Sequence, residues 1–217
     1  MSTARSALPG AAPAAGVSAL RDRKKAQTRD ALIAHAIALF NGQGFGATTV
    51  EDIAAAADYS PRTFFRHFGS KEDVVFHDLD RRLVELRVRL DEIPEEDALW
   101  PAMTDAMLRL GGELIGEDPE LGEARIRLWF TEPALRARYT EITMQWEDAL
   151  AEFLGRRTGH HPDLDLPPRV GAVAATSALR IAMQRRVLHG GDLMDLAAEA
   201  FRLLNQGRFG ESRNDRS

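Results

Sequence analysis

Apolar residues recur every three or four positions along almost the whole chain after residue 21, and no segment alternates apolar with polar residues. Such spacing places apolar side chains on one face of a helix, whereas a half-buried strand requires alternation. Glycine and proline clusters interrupt the pattern where loops between helices are expected. The sequence therefore predicts an all-α protein of about nine helices. The long helices are expected near residues 96–115, 119–129, 132–158, 168–189 and 192–206.

The chain of 217 residues has a formal net charge of -5, but its charges are unevenly distributed. Residues 1–75 hold nine lysines and arginines against seven acids, whereas the remainder is acidic. Because local charge governs phosphate binding, a nucleic-acid partner is compatible with this distribution. The sequence has no cysteine, no apolar run that could cross a bilayer and no secretory signal. We therefore expect a cytoplasmic protein without membrane spans, disulfides, cysteine-based zinc sites or thiolate catalysis.

Composition divides the chain into three parts. Residues 1–20 are rich in alanine, proline, glycine and serine, which predicts a flexible tail. Residues 21–75 predict a helix-turn-helix head, and residues 76–217 predict a larger helical domain. A long fourth helix is expected to begin after Ser70 and to run to about residue 90.

Two short helices joined by a tight turn follow a longer amphipathic helix in the head. Thr48 and Glu51 have the spacing of a capping box at the start of the first short helix. Ser60 and Pro61 supply an N-cap and a first-turn proline for the second. These dimensions are those of a helix-turn-helix, whose second helix enters the major groove of DNA.

The second short helix divides its residues between core and contact surface. Phe64 and Phe68 lie four residues apart and are expected to face inward. Hydroxyls, cations and helix starts are suited to phosphate oxygens, and Arg62 can bridge a guanine edge or hold a phosphate. The candidate DNA contacts are Thr48, Ser60, Pro61, Arg62, Thr63, Phe65, His67 and Lys71, with Lys24 and Lys25 on a basic arm.

The segment GFGATTVEDIAAAADYSPRTFFRHFGSKEDVV, residues 44–75, resembles the DNA-binding head of the TetR family of transcriptional regulators. The resemblance implies an all-helical homodimer with a ligand-binding C-terminal domain. Asp58 stands where the family usually has glycine, so we expect it to adopt a glycine-like backbone conformation. Phe65 lacks the hydroxyl of the family's usual tyrosine. More narrowly, the chain is similar to the actinobacterial subgroup that includes the mycofactocin regulator, which implies an acyl-CoA-like effector. Family positions that contact phosphate correspond to Thr48, Arg62, Thr63, Phe65, His67 and Lys71.

The larger domain contains candidate surfaces for two partners. Apolar stripes on the last two long helices, about residues 168–206, predict a homodimer interface. A dimer sets two recognition helices about one DNA turn apart, which suits a palindromic operator. Aromatic residues expected around a pocket, and arginines suited to an anion, form a candidate effector site: Trp100, Arg125, Trp129, Tyr139, Trp146 and Arg180.

The sequence thus predicts a transcriptional repressor that binds a palindromic operator as a homodimer and is released by a small-molecule effector. No catalytic constellation emerges, and His160 and His161 lie in a loop without helical ligand spacing. We therefore expect no enzyme activity, cofactor or metal. Two alternatives remain open: an enzyme with an appended DNA-binding head, and a DNA-binding protein without an effector.

Overall fold

The structure is a computed structural model that describes residues 14–207. This part of the chain forms ten α-helices and no strand, which confirms the all-α prediction. None of the helices within it has an apolar stretch of the length that a bilayer span requires. The helices are α1 (Ala14–Gln43), α2 (Val50–Ala56), α3 (Pro61–His67), α4 (Lys71–Val75), α5 (Leu79–Asp91), α6 (Leu99–Ile115), α7 (Pro119–Thr131), α8 (Pro133–Thr158), α9 (Leu166–His189) and α10 (Leu193–Gln206).

The first three helices form the head, and apolar side chains from each are buried in its core. Phe64 of α3 has no solvent exposure, and its ring centroid lies 5.4 Å from that of Phe68. Ile53 of α2 is also fully buried, and Phe40 of α1 contacts Phe45 with ring centroids 4.8 Å apart. The prediction that Phe64 and Phe68 face inward is confirmed.

The first short helix begins one residue later than the sequence predicted. Thr49 caps α2, and it forms a capping box with Asp52. The Asp52 amide donates to Thr49 Oγ1 over 3.1 Å, and the Thr49 amide donates to Asp52 Oδ2 over 2.9 Å. The capping box predicted for Thr48 and Glu51 was wrong. Both pairs have the same spacing, and burial of the Thr48 side chain decides between them.

The turn before α3 follows the sequence prediction. Asp58 has a φ of 61°, and it is the only non-glycine residue with positive φ in the part of the chain that the structure describes. Its glycine-like conformation is therefore confirmed, in a region that aspartate tolerates better than most residues. Ser60 then caps α3 by accepting a hydrogen bond of 3.2 Å from the Thr63 amide, and Pro61 occupies the first turn.

The first helix begins earlier than predicted. Residues 14–20, expected to belong to a flexible tail, form the first turns of α1, so the tail prediction was wrong for them. This stretch contains three alanines, and no proline interrupts the chain from residue 14 to residue 43. Alanine has the highest helix propensity, so extending α1 in this direction is favourable. The rest of the predicted tail, residues 1–13, lies outside the described residues.

The predicted long fourth helix is interrupted, which raises the helix count from about nine to ten. Helix α4 ends at Val75, and α5 begins at Leu79 after a turn at residues 76–78, which we call the break. Phe76 and Asp78 in the break are buried, and the Asp78 carboxylate bonds to arginines instead of capping α5. The break was missed because the apolar spacing continues through it.

Helices α6 to α10 form the larger part of the core. Helices α8 and α9 pack along each other, and α10 packs against α6 and α9. All five begin and end within three residues of the predicted ranges. Buried residues of the head and of these helices form one continuous cluster, so the head is packed directly on the larger domain.

Helices α6 and α7 approach each other closely at Gly122. A Cβ atom at this position would lie 2.0 Å from the carbonyl oxygen of Ile115, which is far inside any tolerated contact. The obstacle is backbone, so no rotation of a side chain relieves it. Only glycine therefore permits this approach.

We expect Gly122→Ala to lower the free energy of unfolding by about 3 kcal/mol or more, because overpacking forces the helices apart. Urea denaturation measures this change. Gly42→Ala is the matched control, since its Cβ would meet nothing within 4 Å and alanine favours the helix. Equal stability of the two variants would contradict the close approach of α6 and α7.

Candidate DNA-binding surface and effector cavity

The outward face of α3 presents cations and an aromatic ring. Arg62, Phe65 and Arg66 are exposed, and Phe65 has 55% of its surface accessible. The Phe65 ring contacts the buried Phe64 ring in an edge-to-face arrangement with centroids 5.6 Å apart, so it is held in place. Guanidinium groups can bind phosphate or guanine, and a ring can contact a thymine methyl group.

Hydroxyl groups cluster at the start of α3. Ser60 and Pro61 are exposed, and Thr63 is half-buried. The hydroxyl oxygens of Ser60 and Thr63 are 3.1 Å apart and share a hydrogen bond. Ser60 and Thr63 precede and follow Pro61 and Arg62 in the chain, so the two hydroxyls lie at the first turn of α3.

Cationic side chains of α1 and of the end of α3 form a group that we call the cationic edge: Lys24, Lys25, Arg29 and Arg66. Lys24 and Lys25 are exposed on α1. Burial lowers the pKa of His67, and the nearby positive charges of Arg66, Lys25 and Arg29 lower it further. The Nε2 atom of His67 is buried without a hydrogen-bond partner. Arg29 was missed at the sequence level, although its spacing of four from Lys25 places both on one face of α1.

Thr48 and Lys71 have structural roles that the sequence did not reveal. Thr48 is 1% exposed, and its hydroxyl donates a hydrogen bond of 2.8 Å to the Gly44 carbonyl. It is therefore not available at the surface, whereas the neighbouring Thr49 is exposed. The Lys71 ammonium donates to the carbonyls of Phe45 and Thr48 over 2.7 and 2.8 Å, and lies 4.4 Å from the centroid of the Phe45 ring.

A small apolar cavity of about 50 Å³ lies inside the larger domain. Three of the predicted effector contacts, Trp129, Tyr139 and Trp146, line it. The rings of Trp129 and Tyr139 stack with centroids 5.7 Å apart. The remaining lining residues are Leu79, Met107, Leu114, Ile142, Thr143, Thr176, Leu179 and Met183.

The cavity wall combines apolar surface with polar groups that lack partners. The indole N–H groups of Trp129 and Trp146 are buried without an acceptor. Burial raises the pKa of Tyr139 to about 12, so its hydroxyl stays protonated at neutral pH. Buried donors of this kind favour a ligand that brings a hydrogen-bond acceptor into an otherwise apolar site.

The other three predicted effector contacts do not line the cavity. Trp100 packs against Phe201 of α10, with ring centroids 6.2 Å apart. Arg180 is half-buried on α9 and does not line the cavity, although its charge is close enough to Tyr139 to oppose the rise that burial causes in the pKa of that residue. Arg125 is 5% exposed, and its guanidinium already binds the protein. The sequence could not place them because helical spacing does not show which neighbour a side chain meets.

A buried polar cluster lies at the break between α4 and α5. Arg125 Nη1 donates to Asp78 Oδ1 over 2.8 Å, and Arg82 Nε donates to Asp78 Oδ2 over 2.6 Å. Burial alone would raise the pKa of Asp78, but the charge of Arg125 and smaller contributions lower it to about 2. Burial lowers the pKa of His77 to about 4, although the charge of Asp78 opposes this change.

The side chains of His160 and His161 form hydrogen bonds with residues close to them in the chain. His160 Nδ1 lies 3.0 Å from the Thr158 hydroxyl, and His161 Nδ1 accepts a hydrogen bond of 3.1 Å from the Asp163 amide. Within residues 14–207, no group of three histidine or acidic side chains is arranged to hold a metal ion.

This geometry is that of a helix-turn-helix protein whose DNA-binding head is joined to a helical domain with an internal apolar cavity. Comparison with known families agrees. Residues 32–77 match the family described as bacterial regulatory proteins, tetR family, and residues 97–208 match the MftR C-terminal domain. The chain therefore belongs to the TetR family, and it is a DNA-binding transcriptional regulator.

Individual relatives are consistent with this assignment. The chain is 34% identical over 187 residues to the HTH-type transcriptional regulator TcmR of Streptomyces glaucescens, covering 84% of this chain and 83% of that protein. It shares its fold with Thermus thermophilus FadR in complex with lauroyl-CoA (TM-score 0.56, 22% identity, 86% of this chain and 97% of that one). It also shares its fold with SmeT of Stenotrophomonas maltophilia in complex with triclosan (TM-score 0.62, 17% identity, 83% and 91%).

The lowered pKa of His77 predicts how the free energy of unfolding depends on pH. His77 stays neutral in the folded protein down to about pH 4, whereas in the unfolded chain it gains a proton near pH 6.5. The unfolded state therefore binds more protons in this window, so stability falls as the pH falls through it. We expect a loss of about 3 kcal/mol between pH 7 and pH 4 that His77→Gln does not show.

Urea denaturation at a series of pH values measures this difference. His67 titrates in both proteins, so its contribution cancels between them. His35→Gln, at an exposed position on α1, is the control and should follow the wild type. Parallel pH curves for the wild type and His77→Gln would show that His77 is not buried as described.

Proposed function

We propose that the protein is a repressor that binds a palindromic operator as a homodimer in the cytoplasm and is released by a small-molecule effector. The observation that carries the proposal is the outward face of α3. Phe64 anchors one side of this helix while Arg62 and Phe65 project from the other. Such a division suits a helix that lies in the major groove.

The proposed DNA contacts follow the exposed hydroxyls and cations of the head. Arg62 reads a guanine edge or holds a phosphate, and Thr49 takes the backbone contact first assigned to Thr48. Lys24 and Lys25 extend the cationic edge along α1. The other contacts proposed are Ser60, Pro61, Thr63, Phe65, His67 and Lys71.

We expect Arg62→Ala to weaken specific operator binding by about 10- to 100-fold, because a bidentate guanidinium contact is lost. The measurement is a fluorescence-anisotropy titration of an operator selected from genomic fragments. Arg81→Ala removes the same charge from an exposed position on α5 and should leave affinity unchanged. Operator affinity that is the same for both variants would remove Arg62 from the contact surface.

The homodimer is proposed from an exposed apolar stripe on α9. Val170, Val173 and Ile181 are 63%, 45% and 53% exposed, and helical spacing places them on one face with Leu166 and Leu188. An exposed apolar stripe of this length is typical of a protein interface. Helix α10 is proposed as the second part of the interface: Leu193, Ala197 and Phe201 are buried within the chain, whereas Leu196, Leu203 and Leu204 are only half-buried.

We expect Ile181→Asp to dissociate the dimer, because it places a charge in the centre of the apolar stripe. Sedimentation velocity measures the change in mass. Val84→Asp is the matched control, since Val84 is an exposed valine on α5, outside the stripe. An Ile181→Asp variant that keeps the wild-type mass would exclude α9 as the interface.

The proposed effector is an acyl-CoA-like molecule whose apolar part enters the cavity. The cavity wall is apolar, with the indole donors of Trp129 and Trp146 as hydrogen-bonding groups. FadR of Thermus thermophilus is described with lauroyl-CoA, which combines an apolar chain with a carbonyl acceptor. A cavity of about 50 Å³ is too small for such a chain, so binding requires a wider conformation. An effector that binds the wider conformation preferentially increases its population. DNA affinity then falls if the DNA-binding head of that conformation is not positioned for the operator.

The enzyme alternative is less well supported by the cavity. Its lining contains no acid and no histidine, and its polar side chains are those of Tyr139, Thr143, Thr176 and the two tryptophans. Catalysis requires titratable groups that converge on a pocket. The small volume of the cavity instead favours, as a second candidate, a DNA-binding regulator without an effector.

A further inference from the structure

The break between α4 and α5 is tied to the DNA-binding head by an arginine of α1. Arg29 Nη2 donates a hydrogen bond of 2.7 Å to the carbonyl of His77. The same guanidinium lies 5.8 Å from the centroid of the Phe68 ring, at the end of α3. One side chain thus contacts both the break and the residue that follows the proposed recognition helix.

The break is also tied to the cavity wall by an arginine of α7. Arg125 binds Asp78 through Nη1, and through Nη2 it donates to the carbonyl of Leu114 over 2.9 Å. Its guanidinium lies 5.7 Å from the centroid of the Trp129 ring. Leu114 and Trp129 both line the apolar cavity. One guanidinium therefore contacts the break on one side and the cavity wall on the other.

The pair of Arg125 and Asp78 is shielded from water. Both side chains are 6% exposed, so the attraction between their charges is little screened. The guanidinium is planar, and its donors point in fixed directions, so binding Asp78 and Leu114 together fixes their relative positions. Loss of Asp78 leaves the buried charge of Arg125 without a charged partner, and loss of Arg125 leaves Asp78 with its bond to Arg82 alone; both changes favour rearrangement.

We propose that Arg125 and Asp78 are positioning residues that hold the break in one geometry and so set the orientation of the DNA-binding head. The connection from cavity to head runs through Leu114 and Trp129, then Arg125 and Asp78, and then the His77 carbonyl and Arg29. For its regulatory meaning the inference rests on the effector response proposed above. When widening of the cavity moves Leu114 or Trp129, the guanidinium of Arg125 cannot follow them and keep its contact with Asp78.

The head orientation can be measured by distances between spin labels, because the chain has no native cysteine. Labels are introduced by Ala55→Cys on α2 and Ala137→Cys on α8, both exposed positions. Mixing with unlabelled protein isolates the distance within one chain. The unsubstituted chain is compared with Arg125→Met, Asp78→Asn and the double variant, and circular dichroism verifies that each is folded.

We expect each single variant to shift or broaden the distance distribution by about 2 Å or more, and the double variant to change it no further. The control is Arg87→Met, which removes the contact between Arg87 on α5 and Glu152 on α8 without touching the break or its partners. It should retain the wild-type distribution. A purely stabilising role of Arg125 would lower the unfolding temperature but leave the distribution unchanged.

If the loss of Arg125 prevents folding, Arg29→Gln tests the same connection at its other end, in the head. Arg29 is half-buried. The Arg29→Gln variant is expected to broaden the distribution as well. Wild-type distributions in the folded variants Asp78→Asn and Arg29→Gln, or an equal change in Arg87→Met, would overturn the inference.

Lauroyl-CoA is the probe that separates this inference from the proposed function, with binding followed by tryptophan fluorescence. We expect it to shift the distances in the wild type and to add nothing in Asp78→Asn. If it does not bind, the proposed effector class fails, while the distances in the unliganded variants still decide the positioning role. If it binds and shifts Asp78→Asn as much as the wild type, the inference fails and the effector proposal stands.

Discussion

The position of the DNA-binding surface depends on the burial of one aromatic side chain, that of Phe64. Helix α3 has seven residues, fewer than an isolated helix needs to be stable in water, so tertiary contacts must hold it. Phe64 supplies them, and the Ser60 cap determines where the helix starts. The outward direction of Arg62 follows, because side chains two positions apart on a helix project to nearly opposite sides.

Charged residues of this chain work in two different environments. Arg125 and Asp78 are paired in the interior. There the pair fixes the relative positions of the segments that it joins, but it changes the electrostatic field outside the protein little. Arg62, Lys24 and Lys25 are in water, where their attraction for phosphate is long-ranged and weakened by salt. The net charge of -5 therefore says little about DNA binding, because residues 1–75 have more cations than acids and the acidic excess lies in the remainder of the chain.

Features determined by neighbouring residues were predictable from sequence, and features determined by distant partners were not. The cap at Ser60, the backbone of Asp58 and the inward direction of Phe64 depend on residues within one or two turns. The break was missed because it depends on Arg125, which lies 47 positions from Asp78. Thr48 was misassigned because burial, not spacing, selects the capping threonine. Half of the predicted effector contacts lie outside the cavity for the same reason.

Lys71 gives the head a property that its charge alone does not convey. Its ammonium already donates to two carbonyls, which leaves one of three N–H groups for a phosphate oxygen. Most of the rotamer freedom that a mobile lysine gives up on binding is thus lost when the head folds. In the proposed complex, Lys71 is therefore already ordered before DNA binds. Its side chain loses conformational entropy when the protein folds and loses little more when it contacts DNA.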